Sequence, residues 1–173
     1  MEYKGKPYLK RKLDTFRSNV NTLYDYYSMK NNDSSASITM PANIRDLYKC
    51  VLGWSAKSVD SLADRLIVRE FENDNFNANE IFKYNNPDIF FDSVILSTLI
   101  GACCFVYISK DEFGNPRLQV IEASNATGVI DPITNLLTEG YAVLKRDDYN
   151  NPTLEAYFTE FETVFYPKGG EPY

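Results

Sequence analysis

The chain has 173 residues, a formal net charge of −6 and a pI near 4.7, and that length is enough to bury a core of its own. Its 44% hydrophobic and 24% charged residues are those of a folded globular protein and exclude a disordered one. The acidic balance argues against a dedicated nucleic-acid reader, because such a surface repels phosphate backbones.

The first segment, residues 8–27, carries Leu9, Leu13, Phe16, Val20, Leu23 and Tyr27 at three- and four-residue steps, which predicts an amphipathic helix. Lys4, Lys6, Lys10, Arg11 and Lys12 crowd its beginning. Cations there oppose the macrodipole, so the expectation is a solvated, mobile arm that frays or is held by an external partner. Residues 29–39 turn polar and small and read as a flexible loop. The sequon Asn32-Asp33-Ser34 within it has no meaning without secretion. Residues 1–40 therefore form one region, an N-terminal helix and its loop.

Residues 41–173 form the second region. Pro41 suits a first helical position, and Ile44, Leu47, Val51, Trp54, Val59, Leu62 and Leu66 keep a helical period, which predicts a long second helix. Asp60, Asp64 and Arg65 ride its opposite, polar face. Residues 67–71 read as a short strand and residues 78–84 as a short helix. The loop Glu72-Asn73-Asp74-Asn75-Phe76-Asn77 echoes a calcium loop but lacks the central Gly and the twelfth-position Glu.

Asn86 is a suitable N-cap, Pro87 a suitable first helical residue and Asp88 favourable to the dipole. The run through Ile100 has almost no charged face beyond Asp92, so this third helix is expected to be largely buried, with Gly101 as its terminator. Strands follow at 103–108, 117–122, 129–131, 140–145, 153–160 and 163–166, joined by turns such as Asp111-Glu112-Phe113-Gly114-Asn115-Pro116. The tail 167–173 is turn chemistry with nothing after it, and exposed strand edges there suggest a fragment of something longer. No internal repeat is evident. The fold class is α+β: two long N-terminal helices and a buried helix packed on an antiparallel β-meander.

Chemistry is sparse. Histidine is absent, which removes Ser-His-Asp triads, Cys-His dyads and nearly all zinc and haem sites. No glycine-rich phosphate loop exists, since Gly169-Gly170 precedes no helix. Asp60 with Asp64, and Asp147 with Asp148, read as solvated carboxylates rather than acid–base or metal pairs. Cys50, Cys103 and Cys104 fit a reducing compartment, and adjacent strand cysteines point to opposite faces, so they read as core fillers rather than ligands. The 13 tyrosines fit both a sheet surface and a subunit interface. No apolar run reaches the ~18–20 residues of a membrane span, and Met1-Glu2-Tyr3-Lys4 has no signal-type apolar region. The expectation is a soluble cytosolic protein that is no enzyme, with no catalytic, cofactor or metal residues.

The order of these features resembles bacteriophage portal proteins, in the N-terminal, wing-region part of the subunit. The elements that carry the resemblance are Tyr26-Tyr27-Ser28-Met29 for a "Tyr-Tyr-x-Gly" helix end with the Gly replaced, and then Met40-Pro41. They continue with Val59-Asp60-Ser61-Leu62-Ala63-Asp64-Arg65-Leu66, with Ser97 to Val106 through Gly101, and with Glu122 to Asp131-Pro132, where an expected first proline is replaced. The match spans most of 20–150. The resemblance implies a structural subunit of a homo-oligomeric ring, usually a dodecamer, at a phage or prophage capsid vertex. It implies terminase, scaffold or capsid proteins and head-to-tail adaptors as partners, DNA passing without sequence-specific binding, and residence in the virion or, during assembly, in the host cytoplasm. Beside it stands a non-enzymatic adaptor that offers a sheet edge to a protein partner. A third expectation, more remote, is a divalent-metal-dependent hydrolase built on the acidic loops.

Overall fold

The computed structural model describes residues 4–30 and 53–173. The expected start of the second helix at Pro41, the loop with the Asn32 sequon, Met40-Pro41 and Cys50 lie outside the described residues. Within them are α1 (Lys6–Tyr27), α2 (Trp54–Ala63), α3 (Ala78–Lys83) and α4 (Pro87–Gly101). The strands are β1 (Cys104–Lys110), β2 (Pro116–Glu122), β3 (Ala126–Ile130), β4 (Leu137–Arg146), β5 (Pro152–Phe158) and β6 (Thr163–Pro167). The class is α+β. The strands separate into an antiparallel β1–β2 hairpin and a four-stranded antiparallel meander ordered β3-β4-β5-β6.

β4 lies at the centre of the packing because both its faces are covered. Tyr141 and Val143 point one way, into a cluster with Leu9 and Leu13 of α1. Ala142 points the other way, into a cluster with Ile121 of β2 and, at its margin, Phe105, Tyr107, Leu144 and Phe158. Period-two alternation thus places α1 on one face of the meander and the hairpin on the other. α4 packs against α1, α2 and β2.

α1 docks rather than fraying. Leu9 and Leu13 are 0% and 1% exposed, and the lysines at its start are held by the sheet: Lys6 and Lys10 both pair with Glu155 of β5, at 3.3 and 2.8 Å. Lys12 donates to the Gly128 carbonyl at 2.8 Å, and the Gly5 N–H donates to Glu139 at 2.7 Å. The partner that offsets the unfavourable dipole is therefore internal. The inward stripe keeps Leu9, Leu13, Val20 and Tyr27 but departs from the expected one at two positions. Phe16 and Leu23 are 54% and 45% exposed, while Arg17 and Tyr24 turn inward, bonding Ser124 O and Ser97.

The other departures are local. α2 ends at Ala63, with Leu62 and Leu66 exposed, and Asp60 is half-buried, accepting a 2.9 Å hydrogen bond from the Tyr27 hydroxyl. Residues 67–71 make no strand. The Asn79 side-chain amide instead bonds both the N–H and the C=O of Phe71 at 2.9 Å, in place of a strand partner. The Phe71 ring stacks on Phe82, which stacks on Phe91. Asn86 stands at the α4 N-cap position but is left-handed and makes no side-chain cap. α4 is only partly buried, with Ile89 69% exposed. The left-handed stop is Ala102, φ 65°; Gly101 is instead the buried contact against Ala123, Val20 and Tyr24. Finally, Tyr173 pairs with Phe165 through two backbone hydrogen bonds of 2.8 and 3.1 Å, so the tail covers part of the β6 edge.

A repeat escapes inspection of the sequence and is plain in the backbone. Asp111-Glu112-Phe113-Gly114-Asn115-Pro116 and Asp147-Asp148-Tyr149-Asn150-Asn151-Pro152 build the same turn. In each, the first Asp accepts from the N–H groups two and four residues on, at 2.9 and 2.8 Å in one and 3.1 and 2.8 Å in the other. In each, the fourth residue is left-handed, Gly114 at φ 83° and Asn150 at φ 64°. Such an Asx arrangement fixes the reversal locally, and it leaves Phe113 and Tyr149 at the tips, both 88% exposed.

Candidate functional site

Three places could carry function. The first is the seam of α1 on the sheet. Tyr141, 1% exposed, has its hydroxyl pushed up by burial and by its hydrogen bond to Glu155. Burial by itself raises the Glu155 carboxyl, but hydrogen bonds from Lys10, Tyr141 and Lys6 outweigh it and hold the group below the ordinary range. The Lys6 ammonium also lies 3.1 Å from the Tyr166 ring centroid, a cation–π contact. All these groups satisfy one another, so the seam is a clamp with no open chemistry.

The second is an acidic cleft between α2 and α4, about 410 Å³ in volume, lined by Asp60, Asp64, Asp88 and Asp92 among apolar residues. The structure brings the expected pair Asp60 and Asp64 together with two carboxylates of another helix, a convergence that i,i+4 spacing alone does not reveal. Among the described residues no three Asp, Glu, Cys or His groups come together in a way that could hold an ion. Asp74 of the calcium-like loop caps α3 instead, accepting from the N–H groups of Ala78 and Asn79 at 2.6 and 2.8 Å. Those bonds hold its carboxyl below the usual range. Asp147 is bound within its turn and to Lys168 at 3.2 Å.

Cys103 and Cys104 are not the core fillers expected. Cys103 is exposed and Cys104 half-buried, with the Thr98 hydroxyl 3.3 Å from the Cys104 sulfur. Desolvation raises the Cys103 thiol, the opposite of what an activated nucleophile needs.

The third is an apolar groove of about 600 Å³ between the β1–β2 hairpin and the face of the meander. Phe105, Tyr107, Leu137, Ala142, Phe158 and Phe165 line it. β1 pairs only with β2, so among the described strands its outer edge has no ladder partner. Ile108, 67% exposed, stands at that edge. Further apolar residues crowd the adjacent end of the meander: Ile130, Ile133, Leu136 and Phe161 are 60%, 88%, 68% and 91% exposed. An open strand edge beside apolar surface is a protein-docking surface in its chemistry. It holds no reactive group. The sequence showed these strands but not that the hairpin would peel away from the meander to open a groove.

No family model matches the chain, and no curated protein sequence matches it. No helix among the described residues is long and apolar enough to cross a membrane.

Proposed function

We propose that the chain is a non-enzymatic structural subunit of a portal-type ring at a phage or prophage capsid vertex. DNA is packaged and ejected through such a ring, and terminase, capsid or scaffold proteins and head-to-tail adaptors dock on it. On this reading it resides in the virion, and in the host cytoplasm during assembly. The observation that carries the reading is the end of α1. The resemblance expects glycine where this chain has Met29. Met29 is left-handed, φ 56°, and closes the helix with Met29 N–H to Tyr26 O and Lys30 N–H to Asp25 O, at 3.3 and 2.9 Å. That is the Schellman geometry glycine serves without steric penalty. A glycine-type backbone at the position where the resemblance expects glycine supports the match on grounds other than residue identity. The apolar groove and exposed hairpin ends supply surface for neighbouring subunits.

A second reading, a stand-alone adaptor that takes a partner strand, is favoured by the open β1 edge beside the groove. Gene context separates the two. A reading frame that continues past Tyr173 through further long helices, beside genes for a terminase large subunit and a capsid protease, supports the ring. A stop codon at that point with unrelated neighbours would transfer the assignment to the adaptor.

A further inference from the structure

We propose that a notch between α1 and the β4–β5 turn binds a phosphate-type oxyanion through Arg17 and Arg146. The notch has a volume of about 350 Å³, and its lining is Arg17, Asn21, Ser124, Asn125, Arg146, Asn150 and Pro152. Two residues of that lining are cationic and none is anionic, in a chain whose net charge is −6.

Both guanidinium groups are fixed in place by the protein. Arg146, at the end of β4, donates Nε and Nη2 to Asn125 Oδ1 at 3.1 and 2.9 Å, and Nη1 to Asn150 O at 2.8 Å. Arg17, on the inward stripe of α1, donates Nε to Ser124 O at 3.0 Å and Nη1 to Asp14 at 3.1 Å. A guanidinium has five N–H donors, so Arg146 retains two and Arg17 three beyond these bonds. Their anchors, the Ser124 carbonyl and the Asn125 side chain, belong to consecutive residues of the β2–β3 turn, which holds both forks to one turn.

Among the described residues the nearby carboxylates balance Arg17 but leave Arg146 without an ion pair. Asp14 is engaged by Arg17 alone, and Glu155 is taken by Lys6 and Lys10. Among the described residues Arg146 has no carboxylate at ion-pair distance. Burial, and after it the neighbouring Arg17, disfavour its charge and outweigh the favourable influence of Tyr141, Asp14 and Glu155, and an anion shared by the two groups would relieve that repulsion. Five remaining donors on two planar forks suit an anion with three or more acceptor oxygens better than a carboxylate with two. Asn21 and Asn150 add amide donors at the rim. The inference stands or falls independently of the ring reading.

The test is a titration of the ¹⁵N-labelled chain with inorganic phosphate at constant ionic strength, followed by NMR. Saturable shifts are expected at the backbone amides of Asn125 and Asn150 and at the Arg146 Nε–H. Arg146→Gln should weaken the affinity by about tenfold or more, since it removes a charged fork from the anion. Arg146 also orders Asn125, so Asn21→Ala serves as the second variant. Asn21 is exposed, and among the described residues its side chain makes no hydrogen bond, so its loss should weaken binding about twofold to fivefold with the fold intact. An oligothymidylate at equal phosphate concentration separates sources of the same group. Saturation at a lower concentration points to a phosphodiester strand, and saturation by inorganic phosphate alone points to a free ion. Shifts that stay linear, that persist in both variants, or that acetate reproduces at the same concentration would overturn the proposal.

Discussion

Position 29 shows how a single backbone angle carries more information than the side chain attached to it. A non-glycine residue in the left-handed region gives up roughly 1 kcal/mol, and Met29 is 42% exposed, so its side chain returns only part of that. Met29→Gly is therefore expected to stabilise the chain by about 0.5–1 kcal/mol in urea unfolding. Two glycines invert that logic through space rather than φ. A Cβ on Gly128 would meet the Glu139 carbonyl at 2.8 Å and collide with Leu137, so Gly128→Ala should cost about 1–3 kcal/mol. A Cβ on Gly101 would sit 3.5 Å from Ala123, an ordinary contact, and Gly101→Ala should leave stability unchanged or raise it by up to ~1 kcal/mol. Equal losses in the two variants would show that the distinction is not one of steric space.

Glu155 makes the α1 clamp pH-dependent. Its carboxyl lies below the unfolded value despite burial, because Lys10, Tyr141 and Lys6 stabilise the charged form. A depressed acid contributes stability that is complete above the unfolded pKa, about 4.3 for Glu. That stability is lost as the pH falls through the folded value. Unfolding free energies measured from pH 7 to pH 3 should therefore fall below about pH 4.3, and Glu155→Gln should flatten that decline. An identical slope in the variant would assign the acid sensitivity elsewhere.

At the scale of elements, α1 and the repeated turns make opposite predictions. α1 is docked by Leu9 and Leu13, so Leu13→Ala should cost about 2–5 kcal/mol, and the amides of α1 should exchange as slowly as those of β4. Fast exchange along α1 alone would restore the picture of a mobile arm. The turns, by contrast, take their order from Asp111 and Asp147 and nothing from their tips. Asp147→Ala should cost about 1 kcal/mol, with Tyr149→Ser within about 0.5 kcal/mol of the parent.

These elements also mark what the sequence could convey. Five strands and α4 were legible, because alternation and apolar density are local signals, whereas of β3 only Val129 and Ile130 fell within the expected strand. The docking of α1 was not, because a lysine-rich helix start is a liability only until a carboxylate from residue 155 arrives to meet it. The stripe of α1 held at Leu9, Leu13, Val20 and Tyr27 but slipped by one residue at Phe16 and Leu23, because Phe16 outranks Arg17 in hydropathy, whereas the fold needed a donor for the Ser124 carbonyl. Residues 67–71 look like a strand and lack only a neighbour, which no local pattern reports. The acidic cleft and the apolar groove are products of tertiary placement, each assembled from segments that are unremarkable alone.

At the scale of the molecule, α1 and the hairpin sandwich the meander, while among the described strands β1 keeps a free edge and the hairpin ends keep exposed apolar residues. Surface of this kind is costly for an isolated protein and useful in an assembly, where a neighbour covers it. The central claim is that the neighbour is another copy of the same subunit, arranged in a closed ring. Electron microscopy of the complete gene product, purified at low and high ionic strength, tests this most directly. Rings with a central channel are predicted. A population that stays monomeric at every ionic strength would contradict the claim.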